Sequence, residues 1–430
     1  MTDINRKTAY FALLDIEKNG AYSNLSINEN INREKPKNHS FVREIVYGVV
    51  KNKKLLDFYV EPLVSSGLSK LKKQDIILLR MGAYQLLFMG SVPKYAAVNE
   101  TVALAKIFAK GRDRFINGVL RTFSRNLENG VLPELPDRES NFTEYATIKY
   151  SIEPWIVRLW TDAYGREKTE EFLEASNRTP DLSIRVNVMK TTRYDLAEKL
   201  KKQGFTVEFS EVTDRGLVVR GSGLLDTEAF KSGEFAVQDQ ASILVSDVLS
   251  PAPGDFVIDV CAAPGGKTMA MAEMMKDEGK IIAMDLYEHK LPLIQNQAER
   301  NNVHIIEPLK HDSTTTIDDY AGKADLVLAD VPCSGLGVLR RKPEIKYHSD
   351  DMDELLDRQR KILNASSAYV KNGGMLVYST CTINPKENEE QIDLFIRNNE
   401  TFEKVKVINC LPTEGTDGFF ICKMKKVILD

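Results

Sequence analysis

The sequence predicts a multidomain protein: an all-α N-terminal domain, a small α+β middle module and a C-terminal α/β domain of the doubly wound, Rossmann-like kind. Three observations carry this expectation. At 430 residues the chain exceeds one ordinary domain. Up to residue 130, apolar residues recur at helical spacing. From about residue 236, short apolar runs alternate with amphipathic stretches, the pattern of a mostly parallel sheet covered by helices. The expected boundaries are 1–140, 141–235 and 236–430.

In the first domain, Tyr10, Phe11, Leu13, Leu14 and Ile16 form one helical stretch. Ile45, Val46, Val49 and Val50 form another, with Lys51, Lys53 and Lys54 beyond it. Ile76, Leu78, Leu79, Met81, Tyr84, Leu86 and Leu87 form a third, and Val102, Leu104, Ala105 and Phe108 a fourth. Their spacing is nearer 3.6 than 2, and Gly and Pro are sparse within them. Asn129-Gly130-Val131-Leu132-Pro133-Glu134-Leu135-Pro136 is rich in helix breakers and marks a boundary. In the middle module, Trp155 to Tyr164, Glu167 to Glu174 and Leu196 to Lys202 read as helices. Ser183 to Val188 alternates as a strand does, and Thr206 to Phe209 is extended.

Composition narrows the function classes. No apolar run is long enough to span a bilayer, and the N-terminus lacks a signal-peptide stretch. Five cysteines with no CxxC pair and only five histidines argue against a disulfide framework and against structural zinc. A reducing cytoplasm fits that usage. Net charge is −4, but it is unevenly placed. Residues 1–130 carry 21 Lys+Arg against 12 Asp+Glu, and the remainder carries 37 against 50. A basic module that meets a polyanion, joined to an acidic body, is the expectation; chance clustering on solvated helices is the plainer alternative.

Phe256 to Val260 is a short apolar strand. It runs into Cys261-Ala262-Ala263-Pro264-Gly265-Gly266-Lys267-Thr268 and then a helix from Met269 to Met275. Glycines allow close backbone approach, and a helix N-terminus offers free N–H groups to a ligand. Lys280 to Asp285 is a second strand ending in a carboxylate, the position that binds ribose hydroxyls in doubly wound sheets. A P-loop would need Gly where Cys261 stands, and a dinucleotide fingerprint is absent. S-adenosylmethionine has a ribose and an adenine but no phosphate, so one Gly pair and one acidic residue suffice for it. Asp312 in Lys310-His311-Asp312-Ser313 is a candidate for its adenine amino group. An ordinary tight turn with capping carboxylates is the alternative.

Two cysteines carry local polar motifs. Cys333 lies in Asp330-Val331-Pro332-Cys333-Ser334-Gly335, and Cys381 in Tyr378-Ser379-Thr380-Cys381-Thr382. Each follows an apolar run, Leu326 to Ala329 and Met375 to Val377, so both fall at expected strand ends, where α/β active sites lie. A methyl donor beside two thiols suggests carbon methylation. C5 of a pyrimidine is a poor nucleophile until a thiolate adds to C6 and makes C5 enamine-like. A carboxyl group near N3 helps, and a further group must handle the C5 proton. Cys381, Asp330 and Cys333 fit these needs, although spacing alone does not say which thiol attacks. Cys410 and Cys422 read as small buried apolar residues, and Cys261 as loop packing.

These motifs resemble the RNA cytosine-C5 methyltransferases. The resemblance rests on residues 261–268, 330–335 and 379–382, on Glu387-Asn388-Glu389-Glu390, and on Phe235-Ala236-Val237-Gln238-Asp239. It implies a class I methyltransferase fold, with Cys381 as the nucleophile and Cys333 assisting release. It also implies that Asp330 contacts the cytosine ring and that Lys267 reaches the target base. The cofactor, S-adenosylmethionine, would be held by Cys261, Ala262, Ala263, Pro264, Gly265, Gly266, Lys267, Asp285, Asp312 and Asp330. Val331 departs from the family's usual Ala or Pro, but Pro332-Cys333 is intact. Residues 95–100 and 115–121 make the first domain similar to NusB-type RNA-binding domains, and Arg185, Asn187 and Lys190 match an Arg-x-Asn-x-x-Lys pattern of the middle region. The combination resembles the bacterial RsmB (Sun/Fmu) enzymes. It implies 16S ribosomal RNA as partner, a cytoplasmic monomer, no membrane and no metal. Arg340, Arg341 and Lys342 would lie at the rim of the site or in a solvated loop. A tRNA cytosine-C5 methyltransferase, a non-catalytic NusB-like RNA-binding factor and an NTPase are the rivals.

Overall fold

The computed structural model describes residues 2–348 and 351–428. They form two compact units. One comprises residues 2–178 with 339–348, and the other the remaining described residues.

The first unit is helical: α1 (Ile4–Asn19), α2 (Ser23–Glu34), α3 (His39–Lys51), α4 (Lys53–Val60), α5 (Lys73–Phe88), α6 (Lys94–Phe108), α7 (Asp113–Glu128), α8 (Phe142–Lys149), α9 (Pro154–Tyr164) and α10 (Arg166–Asn177). Local signals set the ends. Asp3 caps α1 by accepting from the Arg6 N–H at 2.8 Å, and Gly20 closes it in the left-handed conformation. Helix α5 is buried almost all round and forms the centre of the unit. Helix α7 buries Ile116, Val119, Leu120 and Phe123, an i, i+3, i+4, i+7 stripe worth about 1.5–3 kcal/mol per side chain. Gly82 of α5 lets Leu120 approach: a Cβ there would sit 2.5 Å from a Leu120 methyl. Asp57 binds Arg80 through two 2.7 Å hydrogen bonds.

The segment Leu339–His348 packs within this helical unit, although it follows Cys333 in the chain. Lys346 is buried and donates to the carbonyls of Tyr150 (2.9 Å) and Lys51 (3.4 Å) and to the Asn177 side chain. Burial, then the nearby Lys51 charge, pushes its ammonium down to about 7. Arg340 is also buried and Lys342 is exposed, with its ammonium 5.3 Å from the Tyr22 ring centre. Arg340 is therefore not part of a solvated loop, whereas Lys342 is exposed.

The second unit contains two sheets. The small one is antiparallel in the order β2-β3-β1-β4, from β1 (Leu182–Val186), β2 (Thr206–Phe209), β3 (Gly216–Arg220) and β4 (Phe235–Val237). Helices α11 (Arg193–Lys202) and α12 (Glu228–Lys231) accompany it, and Leu196 and Leu200 join Ile184, Leu217 and Phe235 in its core. The large sheet follows α13 (Gln240–Leu249). Its elements are β5 (Phe256–Asp259), α14 (Gly266–Met274), β6 (Lys280–Asp285), α15 (Leu291–Asn301), β7 (Ile306–Lys310), β8 (Ala324–Asp330), α16 (Met352–Tyr369), β9 (Val370–Thr380), α17 (Glu389–Asn398), β10 (Phe402–Cys410) and β11 (Phe419–Lys426). The order is β10-β11-β9-β8-β5-β6-β7, with β7, β6, β5, β8 and β9 parallel and the last two strands antiparallel. All three predicted architectures are present. The described residues contain no helix long and apolar enough to cross a membrane.

Arg185, Asn187 and Lys190 tie the small sheet together and to the large one. Arg185 pairs with Glu273 of α14 at 2.7 and 3.0 Å and donates to the Gly266 carbonyl at 2.8 Å. Asn187 and Lys190 donate to the carbonyls of Gly233 and Ser232. Both partners of the Arg185–Glu273 pair are nearly inaccessible, at 3% and 2% side-chain exposure. Removing one strands the other charge, which costs about 3–5 kcal/mol. Arg185→Met is expected to lower the melting temperature by roughly 10 °C, measured by calorimetry on the full chain.

Candidate active site

Strand β5 lies between β6 and β8, so the chain departs to opposite sides at its C-terminal end. Such a switch point leaves a crevice. The turn after β5 enters α14 through Gly265, whose φ of +103° suits glycine. A Cβ there would lie 3.3 Å from the Ile294 backbone. A cavity of about 220 Å³ opens beside this turn. Of the residues expected to hold a cofactor, Cys261, Ala262, Ala263, Pro264, Gly266, Lys267 and Asp330 line it, together with Gln238, Ser242 and Asp259. Asp285 ends β6 and Asp312 comes just after β7, and neither lines that cavity. Asp285 is nearly buried and accepts from the Tyr287 N–H at 3.0 Å. Asp312 is exposed and accepts from the N–H (3.0 Å) and hydroxyl (2.8 Å) of Thr314, which hold its carboxyl below the usual range.

Asp259 escaped the sequence reading. It is 1% exposed at the floor of the cavity. Its Oδ2 accepts from the Thr268 hydroxyl at 2.7 Å, and among the described residues no side-chain hydrogen bond reaches its Oδ1. Burial pushes its carboxyl up to about 7 against the Thr268 hydrogen bond, with help from the Asp330 charge. The available signal was a carboxylate closing an apolar strand just before the glycine turn.

The two cysteine motifs meet because β8 and β9 are adjacent and parallel. Their register sets Asp330 opposite Ser379, and the Ser379 hydroxyl donates to Asp330 Oδ1 at 2.6 Å. Lys267 donates to Asp330 Oδ2 at 2.7 Å. Burial disfavours the Lys267 ammonium, but Asp330 and, secondarily, Cys381 and Asp259 outweigh it and raise its pKa. Cys333 Sγ lies 3.1 Å from Cys381 Sγ and accepts from the Cys381 N–H at 3.2 Å. The hydrogen bond with Cys381, burial, and the charges of Cys381 and Glu387 push the Cys333 thiol up. Cys410 and Cys422 are buried, and burial raises their thiols to about 12, which makes them inert. Among the described residues no group of three His, Cys, Asp or Glu is placed to hold a metal ion.

The chain is 37% identical over 445 residues to the "Probable ribosomal RNA small subunit methyltransferase B" of Bacillus subtilis (strain 168), covering 98% of both. Residues 246–425 match the family described as 16S rRNA methyltransferase RsmB/F. The chain belongs to this RsmB/F family. Residues 3–125 match the NusB family, and residues 153–224 match the ferredoxin-like domain of RsmF/B-like methyltransferases. The ribosomal RNA small subunit methyltransferase B of Serratia proteamaculans (strain 568) is 31% identical, with 91% of each chain covered. Among solved structures, PH0851 superposes with a TM-score of 0.83 at 27% identity, covering 99% of both chains. NSun6 from Pyrococcus horikoshii with SFG shares the fold at a TM-score of 0.57 and 22% identity, covering 64% of this chain and 98% of that one.

Within this RsmB/F chain the structure adds residues with no expected role. Ser379 anchors Asp330, and the Lys267 ammonium lies 5.4 Å from the Phe419 ring centre. Gly337 and Gly418 touch backbone to backbone: a Cβ on Gly337 would fall 2.0 Å from the Gly418 carbonyl oxygen. Gly337 also donates to the Cys381 carbonyl at 3.0 Å, which joins the loops of the two thiols.

Proposed function

We propose that the chain methylates C5 of one cytosine in 16S ribosomal RNA with S-adenosylmethionine, through a covalent bond between Cys381 and C6. The observation that carries this reading is the thiol pair, 3.1 Å apart, at the ends of β8 and β9 beside the Lys267–Asp330 pair. Hydrolases and ordinary methyl transfer to oxygen or nitrogen need one nucleophile or none. Two adjacent thiols suit addition and elimination as separate steps.

The cavity fits the cofactor's methionine end. Asp259 Oδ1 is a buried acceptor in need of a donor, and an ammonium group would satisfy it. Gly266 and the first turn of α14 offer backbone N–H groups to a carboxylate. Asp285 would take the ribose hydroxyls and Asp312 the adenine amino group. Bound there, S-adenosylmethionine supplies an electrophilic methyl group for C5. The protein does the rest. Lys267 stays charged and favours a thiolate at Cys381. Asp330, held by Ser379 and Lys267, meets the N3 edge of the ring. Cys333 handles the C5 proton so that Cys381 can leave. The base must be extruded from its stack to reach these groups, and the basic helical domain supplies phosphate contacts.

Bisulfite sequencing of unmodified 16S rRNA, after incubation with the protein and S-adenosylmethionine, tests this. One cytosine is expected to resist conversion. Incorporation of labelled methyl groups with no resistant cytosine would refute carbon-5 chemistry, and a resistant cytosine only in unmodified tRNA would change the substrate class.

A further inference from the structure

One buried carboxylate of the second unit contacts both cysteine loops. Glu387 is 0% exposed, and among the described residues its four side-chain donors are all neutral. From the Cys333 loop, the Ser334 N–H donates to Oε2 at 2.8 Å and the Ser334 hydroxyl to Oε1. From the Cys381 loop, Asn384 Nδ2 donates to Oε1 at 3.0 Å. From α16, Gln359 Nε2 donates to Oε2 and to the Pro332 carbonyl, each at 2.9 Å. Ser334 and Thr382 also share a hydroxyl hydrogen bond at 3.0 Å.

A carboxylate whose donors are neutral is not offset by a paired cation, so its field reaches its neighbours. The titratable groups facing Cys333 are Cys381 and Tyr378 from β9 and its end, and Glu387 from the loop before α17. Lys267, the cation of the site, feels Cys381 and Asp330. The two thiols thus stand in unlike fields, Cys333 beside an anion and Cys381 beside a cation.

We propose that Glu387 is a positioning residue that locks the two cysteine loops together and assigns the single proton of the thiol pair to Cys333, leaving Cys381 as the thiolate. The assignment rests on the carbon-5 reading for its use in catalysis, and it yields a closed proton cycle. Cys381 thiolate forms the S–C6 bond and ceases to be a hydrogen-bond acceptor for Cys333. With that hydrogen bond gone the Cys333 proton is held less tightly, by burial and Glu387, and release proceeds from the minor population of adducts in which that proton has passed to water. Once C5 carries its methyl group, Cys333 thiolate takes the C5 proton. The C5–H electrons restore the C5=C6 double bond, and the C6–S electrons return to Cys381 as thiolate. The pair ends as it began, with one proton on Cys333 and one proton released per turnover.

The test is pH-resolved alkylation of the full chain with iodoacetamide, with each cysteine quantified by mass spectrometry. Wild type is expected to alkylate Cys381 faster than Cys333 at pH 8. Glu387→Gln removes the charge and is expected to lower that ratio roughly tenfold, as a shift of about one pH unit requires. Gln359→Leu keeps the charge and loosens the clamp. It is expected to leave the ratio within about twofold while kcat falls roughly tenfold and KM stays constant. An unchanged ratio in a folded Glu387→Gln protein would overturn the assignment. If that variant fails to fold, Cys381→Ala serves: Cys333 should still titrate above the ordinary thiol value of about 8.5, and a return to that value would equally overturn it. Alkylation needs neither RNA nor cofactor, so failure of the carbon-5 reading would show separately, in the bisulfite experiment.

Discussion

Cys381→Ala is expected to abolish methylation, by a factor on the order of 10⁴ or more, while RNA affinity stays within about twofold of wild type. The size follows from the chemistry. Without a thiolate at C6, C5 remains an unreactive aromatic carbon, and no other group can activate it. Cys333 is 3.1 Å away but is a poor substitute, because its proton is held by burial and by the Glu387 charge. The fold should survive, since Cys381 is only half-buried and Thr382, Asn384 and Asn388 also hold its loop. Labelled-methyl transfer to unmodified 16S rRNA and filter binding measure the two quantities together. Wild-type activity in this variant would remove the covalent mechanism.

Cys333→Ala is expected to do the opposite: to trap the enzyme on its substrate. Addition through Cys381 and methylation of C5 both proceed, but the C5 proton has no base in reach and elimination stalls. A protein–RNA species that survives denaturing electrophoresis should accumulate to a large fraction of the enzyme, and wild type should show little. It should also require Cys381, so the double variant should show none. Absence of the adduct under turnover conditions would reassign the C5 proton to another group, with Asp330 the first candidate. The two variants together therefore separate bond formation from bond release.

The elements most legible in the sequence were those with local causes. Lys280–Asp285 is an apolar run that begins after a glycine and ends in a carboxylate, and the strand occupies those residues. The helix after the glycine turn was expected at Met269 but begins at Gly266, because Gly265 adopts the left-handed conformation and releases the chain into the helix three residues early. The glycine turn was legible because glycine spacing and a strand-to-helix switch leave a local trace. Asp259 was not, since an acidic residue closing a strand looks like a solvated cap until burial is known. Glu387 was visible only as part of a resemblance. Its donors come from residues 334, 359 and 384, and no local pattern reports that they converge.

The segment Leu339–His348 shows the same limit. A solvated loop was one reading of Arg340, Arg341 and Lys342, yet Arg340 is buried, and so is Lys346 beyond them, against the carbonyls of Lys51 and Tyr150, residues remote in the chain. Charge in a sequence says that a side chain wants water or a partner. Only the fold says which one it finds.

By itself the sequence determined the three architectures, the glycine turn after β5, and the presence of two thiols at strand ends, because periodicity and turn chemistry are short-range. Tertiary structure decided what the thiols are to each other. The parallel register of β8 and β9 brings them into hydrogen-bond contact, and the groups that set their fields, Lys267 and Glu387, arrive from separate parts of the chain. Electrostatic fields fall with distance in space and not with separation along the chain. Which thiol keeps the proton is therefore a property of the fold.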